Sequence, residues 1–338
     1  MTSNPGDQQV SDAYIYLLFR LQGELAESDG TRTASSRSAS TTPGSNCPPV
    51  HSASTCRCGA CVCCRASSLA DWAEAVALQP QVMFRVVGKP LLPPVPQTVM
   101  SDPENLPGVE ALESAELALD SEADINPGME RLQTDTRAIA RLVKDPAERQ
   151  RIDRLIRTRA FDDFHKAWPN VGHGTRKYGW VLASTSGTCM DDWLVRTLVN
   201  YAGIWANTPQ EVIYFKGFVD SAGAALTGDH GYTLHFPKDQ LPALYATCFW
   251  SVIGVDAVHK RVLPNTLKRY LLNNQSRLEY GSDGYLTLHF TDQKPQDAPD
   301  GNWHPTPRGT NYNLTFRFYR PRGAVAYCSY FPPSLVQV

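Results

Sequence analysis

Leu314-Thr315-Phe316-Arg317-Phe318-Tyr319 changes character at every residue, and that period of two decides how the second half of the chain is read. Successive side chains of a strand point to opposite faces, so Leu314, Phe316 and Phe318 share one side, and Thr315, Arg317 and Tyr319 the other. One face is apolar and the other mixed, the pattern of a half-buried strand. Upstream, residues 211–218, 232–236, 249–255 and 285–290 are rich in aromatic and β-branched residues, which favour a pleated, partly buried surface. Asp220-Ser221-Ala222-Gly223, Asp229-His230-Gly231 and Ser282-Asp283-Gly284 supply turns between them,. Short strands separated by turns predict an antiparallel β-sandwich, jelly-roll-like, over residues 171–338.

Ahead of it the period becomes helical, which makes the fold class α+β. Residues 112–119 carry apolar side chains at helical spacing, and Asn126-Pro127 opens a second helix with Leu132, Ile139, Leu142 and Val143 on one face,. Asp145-Pro146-Ala147-Glu148 starts a third: an Asp N-cap, a Pro at the first helical position and a Glu at the third satisfy free amides and suit the helix dipole. Ile152, Leu155, Ile156, Phe164 and Trp168 are expected to line its buried side. The arginines from Arg137 to Arg159 alternate with acids, which reads as a solvated face of a helical hairpin rather than a nucleic-acid patch.

The expected organisation is a short N-terminal segment (1–29), a low-complexity tract (30–70), a Pro-rich extended linker (71–108), the helical region (109–170) and the sandwich (171–338). The tract from Gly30 to Ser68 is almost without Leu, Ile or aromatic residues and cannot build a core, so disorder is expected there,. Six of the nine cysteines fall in it, in Cys56-Arg57-Cys58-Gly59-Ala60-Cys61-Val62-Cys63-Cys64 with Cys47 upstream beside His51. Clustered thiolates are soft metal ligands, but structural zinc sites set their ligand pairs on separate elements. No metal or other cofactor is therefore assigned. A reading-frame change in the coding DNA would produce the same composition. Pro90, Pro93, Pro94 and Pro96 mark the linker,.

In 338 residues, 32 Lys and Arg stand against 34 Asp and Glu, a net charge of −2. No strong field argues for nucleic acid or a membrane. The first apolar run, 13–19, has neither a basic flank nor a small-residue cleavage site, and no run reaches the roughly 18 apolar residues of a membrane span. A cytoplasmic protein is expected, with a homo-oligomer to cover apolar sandwich surface.

Taken in order, Asn200-Tyr201-Ala202-Gly203-Ile204-Trp205-Ala206-Asn207, Tyr232-Thr233-Leu234-His235-Phe236-Pro237, Phe249-Trp250-Ser251-Val252, Leu267-Lys268-Arg269-Tyr270, Ser282-Asp283-Gly284, Asn302-Trp303-His304-Pro305-Thr306-Pro307 and Leu314-Thr315-Phe316-Arg317-Phe318-Tyr319 form a specific series. This series resembles the bacterial family that pairs the domains of unknown function numbered 1254 and 1214. The resemblance runs from about Ala75 to the C-terminus, and Asp12-Ala13-Tyr14-Ile15-Tyr16 is similar to the opening of the 1254-type domain. It implies that residues 1–29 are a remnant of that domain, whose β-rich body is replaced by the Ser/Cys tract. It implies no reaction.

Candidate sites stand on their own residues. Arg196, Asn200, Tyr201, Trp205 and Asn207 mix aromatic faces with fixed hydrogen-bond groups, as do Arg269, Tyr270, Asn302 and Trp303. Such sets line pockets for polar small molecules, but Asn and Tyr more commonly tie loops together, and an Arg on an aromatic ring often stabilises a sandwich edge. The reading that follows is a sandwich binding module for a polar or carbohydrate-like ligand. A hydrolase-like enzyme using Asp283, His304 or Arg196 is the alternative, and a damaged gene product without activity the third. His235 and His289 alternate in strands and could share a face as metal ligands, but no carboxylate matches their spacing,. Ser184, Ser186 and Ser251 lack a nucleophile-elbow pattern. Gly172-His173-Gly174 before Arg176-Lys177 does not join a strand to a helix as a phosphate loop would.

Overall fold

Residues 5–25, 35–36, 84–85, 106–121, 124, 126–203 and 206–338 are described by the structure, a computed structural model. The cysteine cluster, the proline stretch at 90–96 and Trp205 lie outside them. The chain divides into a mainly helical unit, Met1–His165 with Met190–Ile204, and a mainly β unit, Lys166–Cys189 with Trp205–Val338.

The helical unit is built around α1 (Pro5–Leu25). Ala13, Tyr14, Ile15, Tyr16, Leu17 and Leu18 are all buried. A helix apolar on every side needs partners on every side. They are a 3₁₀ turn (Val109–Ser114), α2 (Ala115–Ser121), α3 (Met129–Leu142), α4 (Pro146–Leu155) and α6 (Trp193–Gly203). Asp145 caps α4 as its sequence predicts, accepting hydrogen bonds from the amides of Ala147 and Glu148 at 3.0 Å each. A π turn (Ile156–Ala160) then joins α4 to α5 (Phe161–Ala167). Its reason is in the spacing: Ile152, Ile156, Ala160 and Phe164 recur every four residues, all buried. At 3.6 residues per turn such a row drifts around a regular helix, and the wider π turn absorbs the drift. In α3, Leu132 and Ile139 are buried with Val143 just beyond, whereas Leu142, expected on that face, is 46% exposed. At 100° per residue, position 142 lies about 60° from Ile139 and about 100° from Val143, beyond the edge of the apolar stripe.

The β unit holds ten strands: β1 (Thr175–Lys177), β2 (Trp180–Leu182), β3 (Val212–Gly217), β4 (Tyr232–Phe236), β5 (Ala246–Asp256), β6 (Leu271–Asn273), β7 (Leu286–Thr291), β8 (Trp303–Pro305), β9 (Tyr312–Pro321) and β10 (Val336–Gln337). Six form one sheet in the order β1-β2-β3-β9-β5-β6, all antiparallel. Four form another, β8-β7-β4-β10, in which only β8 and β7 run parallel. Neither sheet closes on itself, and the class is α+β.

The five strands read from alternation are all present. Leu314, Phe316 and Phe318 are 0% exposed, and they join Phe215, Trp250, Leu234 and Leu288 in one apolar cluster drawn from both sheets. Fully burying each such side chain stabilises by about 1.5–3 kcal/mol. Gly217 sits opposite Leu314 because the Trp180 ring takes the space, and a Cβ there would come within 2.8 Å of it. The stretch before β3, read as part of the β region, instead contains helix α6. Its apolar residues Val195 and Leu198 are spaced by three and both buried, a helical signal outweighed by the aromatic content around it,.

Candidate functional site

Arg269, Tyr270, Asn302 and Trp303 come together in the β unit, but their polar groups are committed to the protein. Asn302 is 2% exposed, accepts from the Glu279 amide at 2.9 Å, and donates to the carbonyls of Glu279 and Thr287 at 2.8 and 3.0 Å. Trp303 donates its indole N–H to the Thr291 carbonyl at 3.0 Å. Arg269 lies over the Trp303 ring, 5.6 Å from its centroid, and binds Asp300 at 2.7 Å and the Trp303 carbonyl at 3.1 Å. Tyr270 is exposed. These bonds fasten β8 and the loop before it to β7.

Arg196, Asn200 and Tyr201 lie on α6 in the helical unit. Arg196 forks onto Asp124 at 2.7 and 3.1 Å, and its guanidinium stacks 4.3 Å from the Phe19 centroid. Tyr16 donates to the same carboxylate at 2.9 Å and Asn126 at 2.7 Å. Burial alone would raise the Asp124 carboxyl, but these hydrogen bonds and the Arg196 charge together hold it down to about 2. Asn200 is buried, and the Tyr201 ring meets Phe164 edge-on at 5.0 Å.

Asn207 leads to a different place. Its backbone and side-chain N–H groups both donate to the Tyr214 hydroxyl, at 3.2 and 2.8 Å. Gly187 makes room for it, since a Cβ there would lie 2.0 Å from the Asn207 carbonyl oxygen. Tyr214 stands on the face of the six-stranded sheet opposite the apolar cluster, where Thr315 and Ser251 are buried, and register sets its neighbours. Across from it on β9 is Arg317, and Lys216 faces Thr315. On β5 Ser251 faces Arg317 and Phe249 faces Tyr319. Lys216 donates to the Thr315 hydroxyl at 2.9 Å and Arg317 Nε to the Ser251 hydroxyl at 2.9 Å. Phe249 and Tyr319 stack at 4.0 Å.

This face is short of negative charge. By register Arg176, Lys216 and Arg317 lie on this face, whereas Lys177 lies in the row of Trp180 and Gly217, and Asp256, the one acid in these strands, in the row of Tyr312. Among the described residues, no carboxylate pairs with Lys216 or Arg317. Burial, reinforced by the charges of Arg317 and Lys260, lowers the Lys216 ammonium to about 8. Two half-buried cations, diagonal neighbours on adjacent strands, therefore face each other uncompensated. Lys216 and Arg317 were absent from the sequence-derived candidates. The available signal was a Lys and an Arg at the centres of two well-predicted strands, each on the side away from the core.

His235 and His289 do share a face, since Thr233 pairs with His289 and His235 with Thr287. His235 bonds Thr287 at 2.9 Å instead, and among the described residues no three metal-binding side chains are grouped. Of the residues considered for hydrolysis, Asp283 is exposed in a turn, His304 is 0% exposed, and Arg196 belongs to the other unit. Burial lowers the His304 imidazolium, which keeps the ring neutral.

Residues 211–323 match the model of a protein of unknown function, DUF1214, and so form a DUF1214 domain containing Tyr214, Lys216, Ser251, Thr315 and Arg317. No curated protein matches the chain. Among solved structures it is similar to the VPA0106 protein of Vibrio parahaemolyticus, with 20% identity and a TM-score of 0.47, over 78% of this chain and 64% of that one. It also resembles an uncharacterised protein from Burkholderia cenocepacia, at 13% identity and a TM-score of 0.30, over 44% and 41%. The chain thus spans less than two thirds of either. Among the described residues no helix is long and apolar enough to cross a membrane.

Proposed function

We propose that the DUF1214 domain is a β-sandwich binding module for a polar small molecule, sugars included, that carries an anionic group. The ligand lies on the face of the six-stranded sheet opposite the apolar cluster, beside Lys216 and Arg317. The observation that carries this reading is the Lys216 and Arg317 pair, which has no carboxylate partner among the described residues. The hydrogen-bond inventory points the same way. Lys216 has N–H groups beyond the one given to Thr315, Arg317 has its terminal nitrogens beyond Nε, and Tyr214, which accepts twice from Asn207, keeps its own hydrogen to donate,. A surface so rich in donors is completed by an acceptor-rich anion. The stacked Phe249 and Tyr319 offer an apolar wall beside it.

Thermal denaturation of the intact chain tests this, with phosphate, citrate and pyruvate against neutral sugars. At a hundredfold excess over Kd an anion stabilises by about 2.7 kcal/mol, a shift of several degrees. The shift disappears in Lys216→Met and Arg317→Met. If no anion moves the transition beyond its general salt effect, or the variants respond as the parent does, the reading fails. Cytoplasmic location, a homo-oligomeric state and descent of residues 1–29 from a 1254-type domain belong to the same proposal, supported by composition and resemblance.

A further inference from the structure

Lys216 differs from a simple charge clamp in what surrounds its nitrogen. The amine is held by Thr315 at 2.9 Å. Tyr214 stands two residues away on the same face of β3, its hydroxyl donating to no described residue, and Arg317 faces Tyr214 directly across the strand pair. Burial and the neighbouring cations bring the ammonium to about 8 from an ordinary value of 10.5. Roughly a tenth of the side chain is then a free amine at pH 7, where an unperturbed lysine has less than about one part in a thousand. A site that works by charge alone is weakened by discharging one of its two cations. A site that condenses with a carbonyl requires that discharge.

We propose that the anion is a 2-oxo acid, its carboxylate on Arg317 and its carbonyl carbon joined to Lys216 Nζ as an imine. This rests on the anion-binding reading of the same face and names its ligand class. In the first step the nitrogen lone pair forms the C–N bond and the carbonyl π pair moves to oxygen. That oxygen takes a proton from Tyr214, and the nitrogen returns one to it, leaving a carbinolamine. In the second step the C–O bond breaks as the hydroxyl takes the Tyr214 proton and leaves as water. The nitrogen lone pair forms the C=N bond, and the remaining N–H proton restores Tyr214. Amine and ketone thus give imine and water, with no change of oxidation state and no co-reactant. Arg317 suits the carboxylate because its terminal nitrogens make a planar fork while Nε stays on Ser251,.

The test is reductive trapping on the intact chain with pyruvate, 2-oxoglutarate or phenylpyruvate and sodium cyanoborohydride, between about pH 7 and 9, followed by peptide mapping. The expected result with pyruvate is a mass increase of one pyruvic acid less one oxygen atom, on Lys216. The yield falls at least tenfold in Lys216→Arg and is unchanged in Lys177→Arg, an exposed position on β1. Arg317→Met raises the half-saturating pyruvate concentration at least tenfold. Lactate, which has the carboxylate without the ketone, separates the two claims in a thermal shift. If lactate and pyruvate stabilise the chain but no 2-oxo acid is trapped on Lys216, the imine is wrong and the anion site stands. If neither stabilises it and nothing is trapped, both fall. Labelling spread over surface lysines also overturns the imine. The wild-type map decides all of this whether or not a variant folds.

Discussion

The helical unit and the β unit each hold arginine away from bulk water, in opposite electrostatic states. Arg196 is locked bidentately to Asp124, with Tyr16 and Asn126 completing the carboxylate's bonds. Arg317 has a neutral serine on one nitrogen and a lysine as its charged neighbour. The first guanidinium has its counter-charge built into the fold, and for the second no carboxylate partner is present among the described residues. The same residue type thus differs in electrostatic state according to whether its counter-charge is built into the fold, and the anion proposed above would complete the second arrangement. Sequence spacing does not carry that distinction.

Removing Asp124 has the largest expected effect. Asp124→Ala leaves a buried guanidinium unpaired and is expected to cost about 3–5 kcal/mol in urea denaturation near neutral pH. The acid limb sharpens the point. With Asp124 held at about 2 in the folded chain against an ordinary 3.8, its contribution is fully present above about pH 4 and is lost as pH falls toward 2,. The variant's stability should therefore depend less on pH in that window, and an unchanged acid limb would refute the pairing. Asn302→Ala is the next largest. It strands the Glu279 amide and the Glu279 and Thr287 carbonyls, for an expected loss of about 2–3 kcal/mol by denaturation midpoint, with the anion response kept,.

Lys216→Met should do the reverse. Relieving a repulsion that no carboxylate among the described residues offsets is expected to stabilise the unliganded chain by about 1 kcal/mol while abolishing the anion-dependent shift. A loss of stability would mean that Lys216 is structural after all. The smallest effect is expected on the helical surface, where Arg141 reaches Glu116 at 3.2 Å with both side chains well exposed. Arg141→Ala should change stability by less than about 0.5 kcal/mol, the ordinary worth of a solvated pair. A larger loss there would undercut the argument that partnering matters only where water is excluded.

Much of the β unit was legible because alternation is a local property. Phe316 and Phe318 announce a buried face within six residues, and turns such as the one at Asp220, whose side chain accepts from Ala222 and Ala224 at 2.9 Å, announce the ends. Helix α4 was legible for the same reason, since Asp145 and Pro146 act within one turn. Helix α6 was not, because its burial is met mostly by residues distant in the chain: Thr197 comes within 3.4 Å of the Ile15 carbonyl. The candidate site was legible in halves. Alternation placed Thr315, Arg317 and Tyr319 together, and β3 was found, but nothing local says that β3 lies beside β9 or in which register.

From composition and periodicity alone follow the α+β class, the strands that carry the apolar core, the cap of α4 and the paired charges of the arginine-rich helices. The periodicities and the cap arise between residues a few positions apart, where chain geometry dictates who meets whom, whereas pairs such as Arg141 with Glu116 join separate helices. Which cations stand alone depended on strand pairing over roughly a hundred residues. Lys216 meets Arg317, and Arg196 meets Asp124, only once the chain has closed those loops, and electrostatic energy depends on distance in space rather than along the chain.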